Sequence, residues 1–483
     1  MKILLPFFNL YTPPLGFGII IKLLLNRGYD LKVIEIQNEK NAIKRTINFS
    51  PDFILISLYT GQHKILLEFI KKIKKIKKYF VIAGGPHCTY YPAVINENDF
   101  IDVIFLSEAE EAIIEFFDEY EKRREIPENI KNTIVRKGNE IITNELRPLE
   151  QNISKFPFCE RRIFYKEYSY MKNYPNEWFI TSRGCPYKCS YCFNTKNAEL
   201  YKKQWNRIRY RTPENVIKEI EEVLSYKEIK YIEFHDDILG LDKKWLSEFS
   251  ELYRKKINIP FKCNIIPSFV NEEYVEKLVN ANVNIVILGI QCYNEKLRKE
   301  LLNRPITNKQ IINAIKILKK YKVKIITQSM LGLPETDFND DYKTLLFNIS
   351  LKIDYAWSSI FQPYPSTKIA DYLIQKKIWD GDINKIPANF YHQSVLNFDK
   401  KRKEKIYILQ PFFALTAKFP VFLIILKILL KLPYVKFYKF AHFFFQTFVY
   451  KYFLYRIKYN YFDLFKILPF YLQMTINRVK NKL

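Results

Sequence analysis

The sequence predicts an α/β protein made of a doubly wound parallel sheet, then a partial (β/α)6 barrel, then a helical C-terminal region. Three observations predict it. Short apolar runs alternate with amphipathic stretches in one series up to about residue 130. A second series of the same kind begins near Trp178, and the alternation stops after Trp379. Buried strands separated by helices are the pattern of parallel sheets with crossover connections.

In the first series, residues 1–130, the strands are KILLPFF, DLKVIEI, FILISLY, FVIAGGP and DVIFLS. GFGIIIKLLLNRG and HKILLEFIKKIKKIKKY are helices between them, and the lysines of KKIKKIKK fall at the spacing of an exposed helix face. Ligands on such sheets sit beyond the carboxyl ends of the strands. The loops expected there are Ser57–Leu58–Tyr59–Thr60, Gly84–Gly85–Pro86–His87 and Ser107–Glu108–Ala109–Glu110. The Gly-Gly pair lets the backbone approach a ligand closely, although the same pair also serves a plain turn. Residues 131–172 read as a hairpin, NTIVRKGNEIITN turning at Lys137–Gly138, and a linker containing PLEQNISKFPFCE.

The barrel spans 173–380. Its strands are EWFITS, IKYIEFH, FKCNIIP, VNIVILGIQ, VKIITQSMLG and AWSSIFQPY, and its helices include ENVIKEIEEVLSY, NEEYVEKLVNA and NKQIINAIKILKKY. Six βα units in a row place chemistry at the strand carboxyl ends.

The chain has 483 residues, 48% hydrophobic and 27% charged, which is a globular composition long enough for several domains. Seven cysteines at irregular spacing do not form a secreted disulfide framework. With no signal peptide evident, the expected location is the cytoplasm. The net charge of +26 is uneven: from Lys401 to Leu483 there are sixteen Lys or Arg against two acids, Glu404 and Asp463. That segment, part of the region 381–483, is also rich in Phe, Tyr, Leu and Ile, which points to a membrane surface before nucleic acid. FPVFLIILKILLKLP is shorter than the roughly 20 residues that span a bilayer. With HFFFQTFVYKYFLYRIKYNYF it reads either as a lid that contacts lipid or as a helical cap packed on the barrel.

The stretch Ser182–Arg183–Gly184–Cys185–Pro186–Tyr187–Lys188–Cys189–Ser190–Tyr191–Cys192 directly follows the first barrel strand. Three thiolates at C-x3-C-x2-C wrap one loop around an iron–sulfur centre, and three ligands leave one of four irons open. A zinc knuckle needs a fourth Cys or His nearby, and none of the five histidines lies within 40 residues.

This loop, with its aromatic Tyr191, resembles the radical S-adenosylmethionine superfamily. The resemblance implies a [4Fe–4S] cluster on Cys185, Cys189 and Cys192, with S-adenosylmethionine chelating the open iron. One electron then cleaves the sulfonium to give a 5′-deoxyadenosyl radical. It also implies cofactor contacts from Tyr191, from Phe234, Asp236 and Asp237 after the second strand, and from Gln291 and Arg304 after the fourth. Gly332 and Glu335 of Met330-Leu-Gly-Leu-Pro-Glu match the adenine-side motif, with Gln328 where a glycine is usual.

The first domain, through Pro13–Pro14–Leu15–Gly16, PDFILISLYTG, GGPHCTYYP and SEAEEAI, resembles the Rossmann-like cobalamin-binding domain of the B12-dependent subfamily. That subfamily includes the anaerobic magnesium-protoporphyrin ester cyclase and many methyltransferases. The resemblance implies cobalamin contacts from Pro14, Ser57, Tyr59, Thr60, Gly84, Gly85, His87 and Glu108. No Asp-x-His-x-x-Gly stretch supplies a lower cobalt ligand, and Ser107 stands where a glycine is usual.

The implied reaction methylates or forms a bond at an unreactive carbon of a small-molecule substrate, with an electron donor such as flavodoxin or ferredoxin and no nucleic acid. No residue is singled out as catalytic. Alternatives are a cobalamin-independent radical enzyme, a tRNA methylthiotransferase-like enzyme, and a membrane-surface binding protein on a degenerate radical fold.

Overall fold

The structure, a computed structural model, describes residues 1–8, 10–201, 208–391, 393–433 and Tyr438. The chain splits into two compact units at Pro175; the first is Met1–Pro175 and the second starts at Asn176.

The first unit carries a seven-stranded sheet. β1 (Lys2–Phe7), β2 (Asp30–Glu35), β3 (Phe53–Ser57), β4 (Phe80–Gly84) and β5 (Val103–Phe105) are parallel, and β6 (Thr133–Lys137) and β7 (Glu140–Thr143) are antiparallel. The order is β2-β1-β3-β4-β5-β6-β7, so strand addition switches from one side of β1 to the other between β1 and β3. A crevice at the carboxyl ends opens at such a switch point. The helix His63–Lys74 buries Leu66, Leu67, Phe69, Ile70 and Ile73 and leaves Lys71 and Lys72 in solvent, as the lysine spacing predicts.

Two details differ from the sequence reading. The hairpin closes on the pair Lys137↔Glu140, so its two-residue loop is Gly138–Asn139, with Gly138 at φ +59°. The hairpin also joins the first sheet through β5 and β6, a pairing the sequence did not show. The backbone groups left open at the edge of the parallel strands are thereby paired.

In the second unit β8 (Asn176–Phe179) is followed by a small ladder of β9 (Ser182–Arg183) and β10 (Arg209–Tyr210). Then come β11 (Tyr231–Phe234), β12 (Phe261–Ile265), β13 (Val283–Gln291), β14 (Lys324–Leu331) and β15 (Tyr355–Ile360). The main sheet is parallel in the order β15-β14-β13-β12-β11-β8 and is open at β8 and β15. The run EWFITS is therefore two elements. Helices start where a side chain caps the free N–H groups: Thr212, Asp242, Asn271, Thr307, Asp337 and Thr367 each accept from the backbone three residues on. They pack on one face of the sheet, while Tyr231, Ile285, Ile326 and Tyr355 form a smaller cluster on the other.

After the sheet, the helix Lys400–Lys418 sends Ile406, Leu409 and Phe413 into the core, and Gln410 donates to the Ser358 carbonyl at 3.1 Å. This helix, 400–418, precedes the segment read as a lid or a cap. The aromatic run from His442 onward lies outside the described residues. Among the described residues no helix is long and apolar enough to cross a membrane.

Candidate functional site

The cysteine loop is set by Asp236, the second residue after β11. Fully buried, its carboxylate accepts the Thr181 N–H at 3.1 Å, the Thr181 hydroxyl at 2.8 Å and the Ser182 hydroxyl at 2.5 Å. These bonds hold the chain as it leaves β8 and turns through Gly184, at φ +102°, into Cys185. Farther on, Ser190 bonds the carbonyls of Leu301 and Leu302, and Asn303 donates to the Lys188 carbonyl at 2.6 Å. The loop is tied at both ends before any cofactor enters.

Cys189 is buried and Cys185 and Cys192 are partly exposed, and the three thiols lie within electrostatic reach of one another. Burial pushes the Cys185 thiol up to about 12 and the Cys192 thiol up to about 11, so metal binding must displace both protons. Among the described residues no three such side chains converge to hold a single metal ion. A four-iron cluster takes each thiolate on a different iron, so this donor set fits it without converging on one point.

The remaining cofactor candidates separate. The Tyr191 hydroxyl bonds Cys189. Arg304 places one guanidinium nitrogen 3.7 Å from Cys189 Sγ and donates to the Gly289 carbonyl at 2.7 Å. Gln291, at φ +64°, folds back so that a Cβ on Gly289 would meet its Nε2 at 2.7 Å. Asp237 is solvent-facing, bonded to Asn194, and within reach of Cys185 and Cys192.

Others face away. Phe234 packs among Phe249, Tyr253 and Phe261 in the core, because alternation along β11 turns it to the helix side. Asp236 is spent on Thr181 and Ser182. Gly332, at φ +69°, donates its N–H to Asp341 and gives room to Ile406 of the helix Lys400–Lys418. Glu335 accepts from the Tyr372 hydroxyl and, with Ser190, Lys296 and Lys368, lines a cavity of about 640 Å³ behind the cysteine loop.

In the first unit the loops after β3 and β4 meet. A Cβ on Gly85, at φ +90°, would stand 2.8 Å from Ser57 Oγ and 3.0 Å from the Leu58 backbone. The His87 Nδ1 lies 3.0 Å from the Thr60 hydroxyl, and its ring stacks on His63 at 4.0 Å. Burial, then the neighbouring His63, pushes His87 down to about 3. Its Nε2 is buried without a partner, as is the Thr12 hydroxyl beyond β1. These orphaned polar atoms and the close approach at Gly85 suit a ligand with polar groups at the carboxyl ends. Tyr59 is exposed and bonds Ser57; the Glu108 carbonyl takes Asn132; Pro14 caps the helix Leu15–Asn26. Gly84 ends β4.

Sequence reasoning missed two features. Glu233 and Lys262 are register partners on the inner face of the sheet, paired at 2.9 Å, with Trp178 beside Glu233. A single charged residue inside each strand, Glu233 in YIEF and Lys262 in FKCNI, is the signal that marks an inward polar patch. Arg298, fully buried, bonds the carbonyls of Cys292 and Ile306; a lone Arg in an amphipathic helix carries no such signal.

Two family models match the chain, the B12 binding domain over residues 1–117 and the Radical SAM superfamily over residues 179–346. An uncharacterised methyltransferase of Pyrococcus horikoshii is 27% identical, over 76% of this chain and 79% of its own length. A putative methylthiotransferase of Methanocaldococcus jannaschii is 24% identical over the same shares. The cobalamin-dependent S-adenosylmethionine radical enzyme OxsB, solved with aqua-cobalamin and S-adenosylmethionine, superposes with a TM-score of 0.65 at 14% identity, over 98% of this chain and 75% of its own.

Proposed function

Given that the chain belongs to the B12-binding radical S-adenosylmethionine enzymes, we propose that it methylates, or forms a bond at, an unreactive carbon of a small molecule. Its cofactors are a [4Fe–4S] cluster, S-adenosylmethionine and cobalamin, and it takes its electron from a separate donor such as flavodoxin or ferredoxin. The observation that carries the reading is the cysteine loop, which Asp236 and Ser190 hold at the carboxyl end of β8 beside Asp237 and Arg304.

When bound, the cluster supplies the electron that cleaves S-adenosylmethionine, and cobalamin supplies the methyl-carrying chemistry. Cys185, Cys189 and Cys192 hold the cluster. Asp237 receives the ammonium of S-adenosylmethionine, and Gln291 and Arg304 orient its carboxylate and ribose. Ser57, Thr60, Gly84, Gly85 and His87 form the corrinoid site, and Gly85 brings the backbone close to it.

The test is anaerobic reconstitution of the full chain, followed by incubation with reductant and methyl-labelled S-adenosylmethionine. Bound iron, a retained corrinoid and release of 5′-deoxyadenosine are expected. A chain that takes up no iron overturns the reading. Iron without corrinoid leaves a radical enzyme of the cobalamin-independent kind.

The methylthiotransferase-type relative favours a second reading. Such enzymes usually hold another cluster in the first domain, where this chain has only Cys88 and Cys159, both buried. Iron content separates the two: one cluster per chain supports methyl transfer, two support methylthiolation.

Val421, Ile424, Ile425, Ile428 and Leu432 form an exposed apolar stripe with Lys427 and Lys431 beside it. This supports contact of the C-terminal region with an anionic lipid surface. Sedimentation with phosphatidylserine vesicles checks it. Binding lost in Ile424→Asp/Ile428→Asp is expected, and unchanged binding overturns it.

A further inference from the structure

We infer that Arg304 acts on the iron–sulfur cluster itself: it donates an N–H to the Cys189 ligand and raises the cluster's reduction potential, with Arg298 as the positioning residue that holds it there. The inference rests on the proposed reading that Cys185, Cys189 and Cys192 carry the cluster.

Arg304 is 9% exposed, and among the described residues no carboxylate pairs with it. A buried guanidinium without an anion is costly, so the site expects a negative group. The side chain reaches two partners, the Gly289 carbonyl at 2.7 Å and Cys189 Sγ at 3.7 Å, while its Nε is buried without one. Cys189 therefore has a full cation and the Tyr191 hydroxyl against it. Cys185 and Cys192 receive the backbone N–H groups of Tyr187 and Asn194, and Cys192 also the Asn194 amide at 3.7 Å. The three ligands are not equivalent.

The placement of Arg304 is built. Its backbone N–H bonds the Arg298 carbonyl at 2.8 Å, and its carbonyl accepts from Ile306 at 2.7 Å. The Arg298 guanidinium, fully buried, donates to the carbonyls of Ile306 at 2.8 Å and Cys292 at 2.5 Å and to Asn308 Oδ1 at 2.7 Å. It thus clamps the residue after β13 to the loop that carries Arg304. Gly289 completes the seat, since a Cβ there would stand 3.2 Å from the guanidinium.

A cation and an N–H···S bond both favour the more negative, reduced cluster, and so raise its potential. The experiment is a redox titration of the reconstituted full chain, followed by electron paramagnetic resonance, with S-adenosylmethionine omitted. Arg304→Gln is expected to lower the midpoint by about a tenfold change in the reduction equilibrium, about 59 mV for one electron. Arg304→Lys should fall between it and wild type, and Arg298→Lys should shift the same way.

If Arg304→Gln does not hold iron, the two lysine variants carry the test. A lowered midpoint in them supports the inference, and a wild-type midpoint in both overturns it. An arginine serving only the carboxylate of S-adenosylmethionine would weaken its binding and leave this midpoint unchanged, which also overturns the inference. A wild-type chain that binds no iron instead overturns the cluster reading on which the inference rests.

Discussion

Asp236 and Thr181, 55 residues apart, are joined by the Thr181 N–H at 3.1 Å and its hydroxyl at 2.8 Å, both donating to one fully buried carboxylate. A carboxylate expected to meet a cofactor instead shapes the chain that enters the cysteine loop. Asp236→Asn would turn an amide towards these donors, leaving at least one unsatisfied. A loss of about 2 kcal/mol is expected, with reduced iron retention. Denaturant unfolding and iron content check both; wild-type values for each would count against the role.

Gly85→Ala forces a Cβ onto Ser57 Oγ and the Leu58 backbone at a left-handed φ of +90°. The backbone neighbours have little freedom to yield, so a destabilisation of about 1–3 kcal/mol is expected. Corrinoid retention should fall with it, while iron content stays at the wild-type level. Loss of iron alone would contradict the assignment.

His87, pushed down to about 3, gives an acid-side signature. Its folded value lies below the unfolded one of about 6.5. The stability linked to its neutral form is therefore present above about pH 6.5 and is lost as pH falls towards 3. Between about pH 6.5 and 5 the loss is about 2 kcal/mol, and His87→Asn removes that slope. Unfolding midpoints of both proteins at the two pH values decide it, since other titrating groups cancel in the comparison.

Lys227 and Glu177 form an ion pair at 2.6 Å with both side chains fully buried. Lys227→Met leaves the carboxylate uncompensated and should cost about 3–5 kcal/mol. Adding Glu177→Leu should recover most of that loss. A double variant no better than the single one would show that the pair is not the source.

By itself the sequence determined the alternation of strand and helix in two series, the place of each strand of the two large sheets to within a few residues, and the cysteine loop at the first barrel strand. Apolar periodicity and thiolate spacing are local patterns, readable without knowing which elements meet. It did not determine which face a neighbouring side chain takes: Phe234 and Asp236 belong to the motif-like run FHDD, yet one is in the core and the other bonds Thr181. Nor did it show that the hairpin would continue the first sheet, since β5 and β6 meet only after the parallel strands have assembled. The approach of Arg304 to Cys189, 115 residues earlier, was decided by the tertiary structure alone. Arg298, Gly289 and Ser190 bring the two segments together, and no periodicity within either segment records a contact made between them.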